Sequence, residues 1–108
     1  MTSSLAEDCD NALAKTAEEM TPADLCLLIS QDAELERVIP QAIRVLDANP
    51  LIMAQFFRGD LLARLVRVRA DYWSAHEREW IALHKIVHEI EQAVAVLNDK
   101  NLDFFKLK

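Results

Sequence analysis

The stretch covering residues 24–62, DLCLLISQDAELERVIPQAIRVLDANPLIMAQFFRGDLL, holds two of the three prolines and the one glycine of a 108-residue chain. Turn-forming residues are therefore gathered here, and the remainder has little with which to make the repeated reversals of a β architecture. With 52% hydrophobic residues the chain can bury one core but not two. It is expected to be all-α, a single-domain helical bundle of about five helices spanning residues 1–108.

Start and stop signals divide it. Ser4 and Glu7 have capping-box spacing. Leu5, Cys9, Leu13, Ala17 and Met20 then form one apolar stripe, predicting a first helix from about residue 5 to about residue 19. Thr21 and Pro22 open a second helix, with Asp24 favouring its positive end. A third, from about residue 33 to 48, carries a broad face of Leu35, Val38, Ile39, Ala42, Ile43, Val45 and Leu46. Pro40 lies inside it and predicts a kink or a fresh start, and Asn49-Pro50 closes it. Residues 51–57 form an apolar connector whose Met53, Phe56 and Phe57 are expected against the core. Gly59-Asp60 begins a fourth helix, with Asp60 expected to cap Leu62 and Ala63.

The most regular signal follows a break at residues 70–74. Trp73, His76, Trp80, Leu83, Val87, Ile90, Val94 and Leu97 alternate three and four apart. This seam predicts a central bundle helix or, alternatively, the interface of a homodimeric helical adaptor or regulator. The tail is expected to dock back through Phe104, Phe105 and Leu107.

The net charge is -6, a balance that opposes general phosphate binding and favours a basic partner. Residues 1–24 carry six acids against Lys15, whereas residues 61–75 carry Arg64, Arg67 and Arg69 against Asp71. Three arginines beside an acidic remainder are expected to form internal ion pairs, with no direct nucleic-acid binding. Cys9 and Cys26 form no CxxC pair and are expected to stay reduced, as in the cytoplasm. The first residues lack the pattern of a signal peptide, and no apolar run reaches membrane-span length.

Signs of catalysis are sparse. His84, His88 and Glu91 share a helix face, but Lys85 stands where an HExxH motif requires glutamate. One glycine cannot build a phosphate-cradling loop, and no nucleophile sits in a recognisable turn. The expectation is a protein that is not an enzyme and holds no metal or cofactor.

Within residues 24–73 lies a longer pattern: Leu27-Leu28-Ile29, Gln31, Leu35-Glu36, Ile39-Pro40, Asn49-Pro50-Leu51, Phe56 and Gly59-Asp60-Leu61-Leu62, followed by Tyr72-Trp73. It resembles the immunity proteins of contact-dependent growth inhibition, the CdiI family. Ser30, Glu34 and Ala54 depart from the family's small glycines and Arg58 from its proline, so the turn before the third helix is expected to be more helical. The resemblance implies a protein that binds the C-terminal toxin domain of the CdiA effector in the cytoplasm as a heterodimer. Such domains are often basic nucleases, commonly acting on tRNA. Pro40, Asn49, Pro50, Gly59, Asp60 and Trp73 are then assigned to the fold. Toxin contact is expected at the flanking acids Asp32, Glu34, Glu36, Asp47 and Asp71.

Overall fold

The structure, a computed structural model, describes residues 4–106. Seven α-helices follow one another among them: α1 (Leu5–Leu13), α2 (Pro22–Ser30), α3 (Leu35–Ala48), α4 (Asp60–Leu65), α5 (Ala70–Ala75), α6 (Glu77–Leu97) and α7 (Asp103–Lys106). The all-α class is as expected, with the break at residues 70–74 occupied by the short α5.

Local chemistry sets most of the ends. The Ser4 hydroxyl accepts from the Glu7 amide at 3.1 Å and starts α1. That helix stops at Leu13, short of the expected end, because Thr16 starts a 3-10 turn, Ala17–Glu19, whose Glu19 carboxylate accepts from the Thr16 amide at 2.9 Å. The Arg37 guanidinium caps the interrupted end, donating to the carbonyls of Leu13 and Lys15. At α2, Thr21 and Asp24 close a reciprocal capping box with Pro22 in the first turn.

α2 is the hub. Leu25 and Leu28 are fully buried, and Cys26 and Ile29 nearly so. They pack against Val38, Ile39, Ala42 and Leu46 of α3 and Leu61 and Leu65 of α4. Burying each large aliphatic side chain contributes on the order of 2 kcal/mol. α3 runs on through Pro40, so the helix makes no fresh start there. The carbonyl that proline leaves without a helical donor is that of exposed Glu36 in the first turn, where water can serve it. Cys9 is half-buried and Cys26 buried, both as free thiols.

The connector between α3 and α4 overturns two expectations. Asp60 is buried, and its carboxylate turns back from α4 instead of capping Leu62 and Ala63. Its oxygens accept from the amides of Ala54 at 2.7 Å, Gln55 at 2.8 Å, Phe56 at 2.8 Å and Phe57 at 3.5 Å. Gly59 supports this reversal at φ 87°, in the left-handed region, while its amide donates to the Ile52 carbonyl at 3.1 Å. With the backbone folded inward on a charge, Ile52 and Ala54 pack on the core and the side chains around them turn out. Met53, Phe56 and Phe57 are exposed, Phe56 by 78%, and do not lie against the core.

α6 is not central either. Only Leu83 of the seam and its neighbour Ile86 are buried in this helix, which packs on α3, and every described residue from Glu91 onward is exposed. Phe104 and Phe105 also remain exposed, packing edge to face on each other at 5.2 Å. Leu107 lies outside the described residues.

Burial opposes ionisation of Asp60, but the amides of Phe56, Ala54, Gln55 and Phe57 outweigh it and hold the carboxyl down from 3.8 to about 2. A depressed carboxyl pKa stabilises the folded state above the unfolded value and loses that contribution as pH falls through the folded one. Asp60→Asn is therefore expected to destabilise the protein by about 2 kcal/mol at neutral pH. Parallel denaturant titrations of the two proteins should show that difference shrinking below pH 4 and nearly gone at about pH 2.

Candidate functional site

α3 starts from a strained turn. Asp32 and Glu34, neither of them glycine, sit at φ 56° and 45° in the left-handed region. Glu34, at φ 45° and ψ 50°, occupies the N-cap position without a side-chain cap. The tight turn is thus kept and is not more helical as expected. Only Ser30, the last residue of α2, is helical among the departures near it. Asparagine and aspartate tolerate this conformation locally, whereas for glutamate it costs about 1–2 kcal/mol.

The turn places Asp32 and Glu34 at the lip of a groove of about 590 Å³ whose other wall is α5. Glu36 and Arg37 come from the first turn of α3, Arg69 and Asp71 from the start of α5, and His76 from its end. Arg69 bridges the two sides: it pairs with Asp32 and, through Nε, with Asp71 at 2.9 Å. Arg37 reaches Glu34 at 3.4 Å while its main bonds go to the end of α1. Four carboxylates therefore face two guanidiniums already engaged, and the groove stays anionic.

Tyr72 and His76 form the floor. Their rings stack at 4.0 Å with planes 10° apart. The His76 Nδ1 lies 2.8 Å from the Tyr72 carbonyl, which can only accept, so this nitrogen carries the hydrogen. Nε2 then faces the Glu36 carboxylate at 3.8 Å. Burial first, then Glu79 and Glu36, push the Tyr72 phenol up to about 12, so it stays neutral beneath the acids. Glu36 is 84% exposed and is the most available anion of the rim.

Four of the five acids expected at a partner surface thus converge: Asp32, Glu34, Glu36 and Asp71 line the groove, and Asp47 does not. Asp47 is exposed on α3 eleven residues beyond Glu36, close to three full turns and so on the same side, about 16 Å further along. Of the residues assigned to the fold, Pro40, Asn49, Pro50, Gly59 and Asp60 shape α3 and the loop after it. Trp73 packs edge to face on Tyr72 at 5.3 Å.

Sequence reasoning missed the exposed aromatic loop at the other end of α3, having assigned Phe56 and Phe57 to the core. It also missed Arg69 as the bridge of the groove, although its ion pairing is of the kind expected for the arginine strip. His84, His88 and Glu91 lie exposed along α6, with the His84 ring tilted on Trp80 at 4.9 Å and His88 3.4 Å from Gln92. Among the described residues no three His, Cys, Asp or Glu side chains are grouped to hold a metal ion, and no helix is long and apolar enough to cross a membrane.

An anionic groove joined through one helix to an aromatic loop is equipped to engage another protein. A family model describing CDI immunity proteins matches residues 1–83, which takes in α1 to α5, the groove, the loop and the packed start of α6. No curated protein and no solved structure matches the chain. The chain belongs to the family of CDI immunity proteins, which neutralise a toxin by binding it.

Proposed function

We propose that this protein blocks the C-terminal toxin domain of its cognate CdiA effector in the cytoplasm by covering it with the acidic groove face, and that the toxin is a basic nuclease, one that cleaves tRNA. The observation that carries this reading is the convergence of Asp32, Glu34, Glu36 and Asp71 from separate elements onto one rim. A nuclease must attract a phosphate backbone, so its active face is cationic. A carboxylate rim on a chain of net charge -6 competes for that face and speeds encounter with it.

Charge alone gives rate and selectivity more than lasting affinity. Lasting affinity needs desolvated apolar anchors, and Phe56 and Phe57 supply them at the far end of α3. Asp47 lies between loop and groove on the side of Glu36, so a heterodimer burying on the order of 1,600 Å² in total can include all three. Inhibition of this kind stabilises no transition state and requires no bond-making by the inhibitor.

The strain at Glu34 fits the same reading, because a non-glycine residue held left-handed at a groove lip retains a carboxylate at the expense of stability. Glu34→Gly is expected to raise stability by up to about 1 kcal/mol in thermal or denaturant unfolding, while weakening toxin binding. A variant that gains stability and binds as tightly as the parent removes Glu34 from the interface.

Co-expression with the matched toxin domain, followed by co-purification and growth, tests the whole. Cells carrying the protein should survive and the pair should purify together, and death at the rate of unprotected cells would overturn the function. Reversal of Glu36 and Asp71 to lysine should lower affinity by about tenfold or more and flatten its fall with added salt. In contrast, Phe56→Ala should weaken binding by a similar factor with the salt dependence unchanged.

A further inference from the structure

The last third of α6 is an apolar helix that no other described residue covers. Six of the eight residues 90–97 are Ile, Ala, Val or Leu, and the one charge is Glu91. Val94, Val96 and Leu97 are 46%, 61% and 61% exposed. A helix apolar on nearly every side is ordinarily buried, and this one overhangs the core by about 10 Å at 1.5 Å per residue.

Beside the packed half of the same helix runs an apolar groove of about 200 Å³, lined by Val66, Trp73, Trp80, Leu83, His84 and Val87. A second hollow shares Trp73 and Trp80 with it. Overhang and groove therefore lie on one stripe of one helix, the first an apolar projection and the second an apolar recess.

We propose that two copies of this chain associate through antiparallel α6 helices, the overhang of each seated in the Trp73–Trp80 groove of the other. The register is self-complementary. Residues 80, 83, 87, 90, 94 and 97 alternate three and four apart, which are the spacings of heptad a and d positions. Run antiparallel, Leu97 meets Trp80 of the second copy, Ile90 meets Val87, and Val94 lies between them over the groove, where only an edge of the buried Leu83 is offered. Each contact occurs twice about a two-fold axis, as an isologous dimer requires.

The flanking charges agree. In this register Glu91 faces His84 of the second copy, an imidazole N–H against a carboxylate, and both are exposed in the single chain. A parallel pair would set overhang against overhang and leave the Trp73–Trp80 groove of each copy unfilled. Antiparallel overlap engages the groove as well, adding area toward the roughly 1,000 Å² in total that a specific interface needs. A second copy suits this face better than the toxin does, because the family match ends at residue 83 and leaves the overhang out.

Sedimentation of the full-length purified chain over a wide concentration range tests the proposal. A monomer–dimer equilibrium is expected, and Val94→Glu with Leu97→Glu should weaken it by at least about tenfold. Both residues are exposed, so circular dichroism of that variant should match the parent. His84→Glu should weaken the dimer by placing like charges together, and adding Glu91→Lys should restore it. A monomer at every concentration overturns the proposal, as does a dimer indifferent to changes at 94 and 97. Loss in His84→Glu without rescue overturns the antiparallel register. A monomeric chain whose 94 and 97 variants lose toxin affinity would assign the overhang to the toxin instead.

Discussion

One buried carboxylate decides how the middle of this protein is presented. Four backbone amides of the α3–α4 connector converge on Asp60, and a charge taken out of water is tolerated there only because those donors replace its hydration. The loop must coil around that side chain, α4 must begin where it begins, and Leu61 and Leu65 are thereby delivered to α2. The same inward turn of the backbone leaves Met53, Phe56 and Phe57 in solvent. Exposure of large apolar groups on a loop so firmly held gives a partner a surface that loses little freedom on binding.

Electrostatics at the opposite end of α3 follow a different logic. There the acids sit in water, and the arginines among them act as struts: Arg69 ties Asp32 to Asp71, and Arg37 completes the end of α1. Exposed ion pairs of this kind contribute little to stability. What they do is hold a set of carboxylates in a fixed outline over the stacked Tyr72–His76 floor. That arrangement suits recognition by charge and shape, and the strained backbone at Asp32 and Glu34 lies at this same lip.

α6 joins the two aspects of the molecule. Its first half closes the core through Leu83 and Ile86, and its second half carries the same apolar periodicity out beyond any cover among the described residues. The family match stops close to this transition, at residue 83. The matched residues thus take in the core and the groove, and the apolar overhang lies beyond them.

What could be read without coordinates was whatever three or four neighbouring residues settle among themselves. The caps at Ser4 and Thr21, the stop at Asn49-Pro50 and the helix start at Gly59-Asp60 all depend on contacts within a turn, and all were legible. The acids of the groove were legible as a charged set flanking a motif, yet not as a site, because Asp32 and Arg69 or Leu35 and Tyr72 meet only after 37 residues of chain have folded. Asp60 pointed the opposite way from its helix because four loop amides outbid two helical ones, a competition that spacing does not record. Likewise, periodicity announced the stripe along α6, but hydrophobic attraction has no direction, and only the packed core showed which half of that stripe it could reach.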